Sequence, residues 1–84
     1  MKFKIIEDKK DQPTLEEAQK FVGGWVECVS LRNGDILLID EEGKLKENSI
    51  NAEANVHFVE SFGSVDCIVG NAMLIKKGAN TKWK

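Results

Sequence analysis

Eighty-four residues, 42% of them hydrophobic and 31% charged, make one folded domain, because disorder needs fewer apolar residues and a larger charge imbalance. A net charge of −2 leaves no chain-wide electrostatic footprint for nucleic acid, and no segment approaches the roughly 20 apolar residues that span a bilayer. So short a chain has a marginal core, and pairing with a copy of itself would enlarge it.

At the N-terminus, Met1, Phe3 and Ile5 alternate with Lys2 and Lys4, the period of a half-buried strand predicted over residues 1–7. This segment lacks the apolar run and cleavage site of a secretory signal, so a cytoplasmic location is expected. Pro13 then introduces a helix over 14–22. Thr14 and Glu17 match a capping box, Leu15, Ala18, Phe21 and Val22 form an apolar stripe, and Gly23 supplies the left-handed stop. A glycine pair that follows a helix has the wrong polarity for an anion-binding loop, and neither a dinucleotide fingerprint nor a P-loop occurs.

Residues 25–40 read as a hairpin about Asn33-Gly34, the pair that suits a two-residue type I′ turn. Such a turn would set Leu31 opposite Ile36, Val29 opposite Leu38 and Glu27 opposite Asp40. Both faces of the ribbon carry aliphatic residues, which implies a second covering layer or a second subunit. A turn at 41–44 follows, then a helix from Asn51, as cap, to Phe62, with Gly63 as its stop. Residues 65–75 read as one strand with a bulge at Gly70, and residues 76–84 as a basic tail, a mobile one by default. The predicted fold is α+β: a small, mainly antiparallel sheet of four to five strands with one or two helices packed on one face.

Three segments, VGGWVE (22–27), IDEEGKL (39–45) with Asn51 six residues beyond it, and VDCIVGNAML (65–74), resemble in order and spacing the family named domain of unknown function 3846. The resemblance runs from the first helix to the last strand. It implies a bacteriophage or mobile-element origin and a role in handling host defences, with the host cytoplasm as the setting. It supplies no activity to carry over.

The acidic residues are the most informative chemistry. With Glu27 facing Asp40 and Glu42 nearby on the face of Trp25, like charges would be forced together, an unfavourable arrangement unless something answers it. Lys44, Lys46 or an N-terminal lysine can neutralise them, a basic partner can bind them, or Glu27, Asp40 and Glu42 with Asn51 in reach can hold a hard divalent cation. Trp25 is either core beneath Phe21 or an interface anchor, and Trp83, between two lysines, is a candidate for stacking on a base. His57 stands alone, and with Cys67 or Ser64 it makes no recognisable catalytic arrangement. Cys28 and Cys67, each in an apolar run, are expected as reduced core thiols.

The binding candidates are therefore Trp25, Glu27, Asp40, Glu42, Lys44 and Asn51. The leading expectation is a phage accessory protein that acts by binding a host protein or a small molecule, as a homo-oligomer, without a cofactor and without nucleic acid or membrane as partner. Sequestration of a nucleotide-like signal, with Lys44, Asn51 and the tail lysines on phosphate, is the second reading. A divalent-metal-dependent enzyme is the third.

Overall fold

The apolar alternation of the sequence is gathered into one four-stranded sheet. The computed structural model describes residues 1–46, 49–64 and 66–83. Within these lie β1 (Phe3–Ile6), α1 (Leu15–Val22), β2 (Val26–Ser30), β3 (Ile36–Asp40), α2 (Ala52–Phe62) and β4 (Ala72–Ile75). The strand order is β1-β4-β3-β2, antiparallel except where β1 runs parallel to β4. The fold is α+β, as the element pattern predicts.

β4 reads Ala-Met-Leu-Ile without a polar residue because it is a central strand, buried on both faces. Alternate residues of β3 and β4 feed two separate cores. Ile36, Leu38, Met73 and Ile75 pack with Ala18 of α1, whereas Leu37, Ala72 and Leu74 pack with Ala54 of α2. The helices therefore take opposite faces of the sheet, not the single face predicted. The second apolar face, which suggested another subunit, is covered in part by α2 of the same chain.

α1 forms as its signals dictate. Thr14 accepts from the Glu17 amide at 3.1 Å, Glu17 accepts from the Thr14 amide at 2.9 Å, and Gly23 closes the helix at φ 89°. Asn51 caps α2 by accepting from the Ala54 amide at 3.1 Å. Its side-chain amide also donates to the carbonyls of Lys2 (2.9 Å) and Gly70 (2.8 Å), joining the chain start, α2 and the approach to β4.

The predicted strand over 65–75 is shorter than expected; Val65 lies outside the described residues. Only Ala72–Ile75 is strand, with one isolated bridge between Val69 and Ile50 ahead of it. Side chains take the place of a neighbouring strand there. Asn55 donates to the Ile68 carbonyl (2.9 Å) and accepts from its amide (3.0 Å), and Asn71 joins Lys2 to Phe21. At β1 the expected apolar face is only partly buried: Phe3 packs toward α2, Ile6 packs toward α1, and Met1 and Ile5 stay exposed on an edge strand.

The C-terminal segment is docked. Lys76 pairs with buried Asp35 at 2.9 Å, Gln12 and Thr81 exchange hydrogen bonds, and the Trp83 indole donates to the Pro13 carbonyl at 3.2 Å. Trp83 is half-buried against the α1-side core rather than free in a mobile tail.

The hairpin turn differs from the type I′ expectation by one residue. The Gly34 amide donates to the Leu31 carbonyl, and the Leu31 amide donates to the Asp35 carbonyl, which leaves a three-residue loop with Gly34 left-handed at φ 94°. The cause is Asp35. Its carboxylate accepts from Lys76, from the Lys77 amide (2.8 Å) and from Asn33 (3.1 Å), and its own amide bonds to Asn33. Burial pushes the Asp35 pKa up, but the bonds from Lys76, Lys77 and Asn33 outweigh it and hold the carboxyl below its ordinary value.

Two stability outcomes follow. Replacing Asn51 with alanine removes the cap and leaves the Gly70 carbonyl without its donor, so urea unfolding should show a loss of about 2–4 kcal/mol, and Asn51→Ser should restore only the cap's share of about 1 kcal/mol. Because the folded pKa of Asp35 is depressed, its contribution is present above the unfolded value of about 3.9 and is lost as pH falls through the folded value. Asp35→Asn should flatten that acid limb of the stability–pH curve; an unchanged limb would contradict this role.

Candidate functional site

The observed register settles where the acidic candidates lie. Glu27 is opposite Ile39 and Asp40 is opposite Val26, so the predicted Glu27–Asp40 pairing does not occur. A slip of one residue sends a side chain to the other face of a sheet. Asp40 consequently turns inward at 4% exposure, pairs with Lys46 at 2.8 Å and accepts from the Glu42 amide at 2.9 Å. Burial raises its pKa, yet Lys46 and the Glu42 amide more than compensate, and the carboxyl sits below its ordinary value.

Lys46 also donates to the Gly23 carbonyl at 2.9 Å, which ties the end of α1 to the end of β3. Gly24 lies against this pair; a Cβ there would stand 2.9 Å from the Asp40 carboxylate. Glu42 is exposed and takes no part in a cluster with Glu27 and Asp40. Among the described residues, no group of three His, Cys, Asp or Glu side chains is arranged to hold a metal ion.

The remaining candidates separate. Asn51 is 2% exposed with its side-chain oxygen and nitrogen both bonded to backbone, so it serves the scaffold. Trp25 is 68% exposed and is not core beneath Phe21. His57 stacks on Phe3 with ring centroids 5.5 Å apart. Cys28 is half-buried, and burial raises its thiol pKa.

Glu27 and Lys44 do come together, at a groove that sequence reasoning missed. α2 covers the β4 side of its sheet face and leaves the β2–β3 side open. The opening is a groove of about 550 Å³ with Val29 and Ile39 as floor, Phe58 and Phe62 of α2 along one wall, and Ile68, Val69 and Leu45 completing the apolar lining. Glu27, Glu41, Lys44 and Asp66 stand at its polar rim, and the Cys67 thiol borders it. Leu45 is 81% exposed and Phe62 38% exposed, so the apolar surface continues outward.

Lys44 forms an ion pair with Asp66, which also accepts from the Cys67 amide at 2.8 Å. The bond from Asp66, ahead of the field of Glu27, raises the Lys44 pKa, and Lys44 lowers that of Asp66. Glu27 and Glu41 have no ion-pair partner among the described residues, which leaves the rim acidic. One sequence signal bore on the groove: α2 carries Val56, Phe58, Val59 and Phe62 around its circumference, more apolar surface than one sheet face can bury.

A small α+β domain with a half-covered sheet face and an apolar groove is the class that fold and site define. The chain matches the family described as Domain of unknown function (DUF3846) over residues 1–83, and it belongs to that family. No curated protein and no solved structure matches the chain significantly. The segments that carry the likeness serve scaffold and groove alike: Gly23, Gly24, Asp40, Asn51, Gly70 and Asn71 take part in the contacts described above, and Glu27, Ile39, Leu45, Ile68 and Val69 line the groove.

Since Asp66 is the leading cause of the raised Lys44 pKa, Asp66→Asn should return the lysine toward its ordinary value in an NMR titration of its side chain. No movement would show that the pair does not persist in solution.

Proposed function

We propose that this domain acts by binding, and that the groove between α2 and the hairpin receives an apolar group from a protein or small-molecule partner. The observation that carries this reading is the groove itself. Its volume of about 550 Å³ lies within the range of roughly 300–1,000 Å³ common to ligand sites, and its lining is apolar with few polar groups at the margin. Leaving Phe62 and Leu45 exposed on so small a chain is unfavourable in water unless a partner covers them.

The acidic rim favours a partner that is neutral or carries positive charge. A nucleotide-like signal fits less well, because Lys44 is held by Asp66, Lys76 by Asp35, and Asn51 is buried. The family likeness supports a phage or mobile-element accessory role as the setting, and a host protein or host small molecule as the target. No helix among the described residues is long and apolar enough to cross a membrane, in keeping with a proposed site of action in the cytoplasm.

Nile red, a neutral apolar dye, reports on such a groove. The wild-type chain should enhance its fluorescence, and Leu45→Glu combined with Phe62→Glu should abolish the enhancement while leaving the melting transition cooperative. Equal enhancement by a variant that still folds would overturn the groove as the binding site.

A further inference from the structure

The groove opens beside a sheet edge. β2 is the last strand in the order β1-β4-β3-β2, and nothing among the described residues pairs with its outer side. The ladder to β3 shows which of its groups are free. The Glu41 amide donates to the Trp25 carbonyl and the Leu31 amide to the Asp35 carbonyl, so odd-numbered residues of this strand bond inward. By antiparallel alternation the amides and carbonyls of Val26, Cys28 and Ser30 point outward. The opposite edge, β1, carries Lys4 within it and Lys2 beside it, as guarded edges do; β2, Val-Glu-Cys-Val-Ser, has neither lysine nor proline.

Side-chain alternation adds specificity. Glu27 and Val29 project on the groove side, two residues apart. A strand laid along β2 would place its own same-face residues beside them, and cross-strand neighbours of opposite charge or matched apolarity are favourable. Glu27, Glu41 and Asp66 against Lys44 make the rim net acidic. A second copy of this chain would bring another Glu27 to that rim, so charge argues against self-pairing.

We infer that β2 accepts an extended segment of another protein as a fifth strand, one with a lysine or arginine two positions from an aliphatic or aromatic residue. The basic side chain lies beside Glu27, and the apolar one lies beside Val29 and enters the groove. Backbone bonds to Val26, Cys28 and Ser30 supply affinity, and the groove supplies selectivity. This rests on the groove being a binding site, and it adds the edge as a second element.

The test is selection of short peptides from a randomised display library on the wild-type chain, followed by amide hydrogen exchange with an enriched synthetic peptide. Enrichment of basic and apolar residues two apart, with new protection at Val26, Cys28 and Ser30, is the expected result. Ser30→Pro removes an outward amide on an edge where proline is tolerated, and should weaken the peptide by about tenfold without loss of Nile red enhancement. Glu27→Lys should shift the enriched peptides toward acidic residues. Failure to enrich any peptide, enrichment of acidic ones by the wild type, concentration-dependent self-association that protects the same amides, or binding without edge protection would each overturn strand addition. Retention of Nile red enhancement in those cases would leave the groove reading standing, and its loss would remove both.

Discussion

Asp35 is held inside the hairpin by the ammonium of Lys76 and the amide of Lys77, and the facing of β2 on β3 depends on that capture. A buried carboxylate is costly unless its oxygens are bonded, and here each oxygen has a donor. Satisfying it draws Asp35 into the turn and lengthens the loop to three residues. The sheet then presents Glu27, Val29 and Ile39 to one side and Val26, Cys28 and Asp40 to the other. The first set borders the groove. The second closes against α1 and Lys46.

The same principle organises the rest of the scaffold. Asn51, Asn55 and Asn71 supply donors and acceptors to backbone groups at strand ends and in the irregular segments between them. Each costs little in an irregular segment and prevents an unsatisfied carbonyl or amide from being buried. Fixing residues 68–71 beside the start of α2 brings Ile68 and Val69 into the groove wall. The family's sequence pattern thus covers both the contacts that close this fold and most of the groove's lining, while Val29, Phe58 and Phe62 lie outside it.

Legibility in the sequence followed the range of the signals. The Thr14–Glu17 box and Gly23 lie within ten positions of one another, and α1 reads directly from them. The Asn51 cap and Gly63 stop placed α2 for the same reason. The hairpin was legible as a turn at Asn33-Gly34 but not in register, since Asp35 takes its partners from 41 and 42 positions away. Glu27 and Lys44 were legible as candidates on chemistry alone and meet at the groove rim. Asp40 and Asn51 were equally conspicuous as polar residues, yet both are buried hydrogen-bonding members of the scaffold. The groove itself was beyond local patterns, because it exists only where α2 fails to cover its sheet face.

The facing of β2 on β3 is the claim on which the groove, its rim and the free edge all stand. Nuclear Overhauser contacts between α-protons measure it directly, because such protons lie close only at antiparallel pairs that do not exchange hydrogen bonds. The account predicts α-proton contacts for Cys28 with Leu38 and for Val26 with Asp40. Contacts of Val29 with Leu38 or of Glu27 with Asp40 would mark the two-residue turn instead and would contradict it.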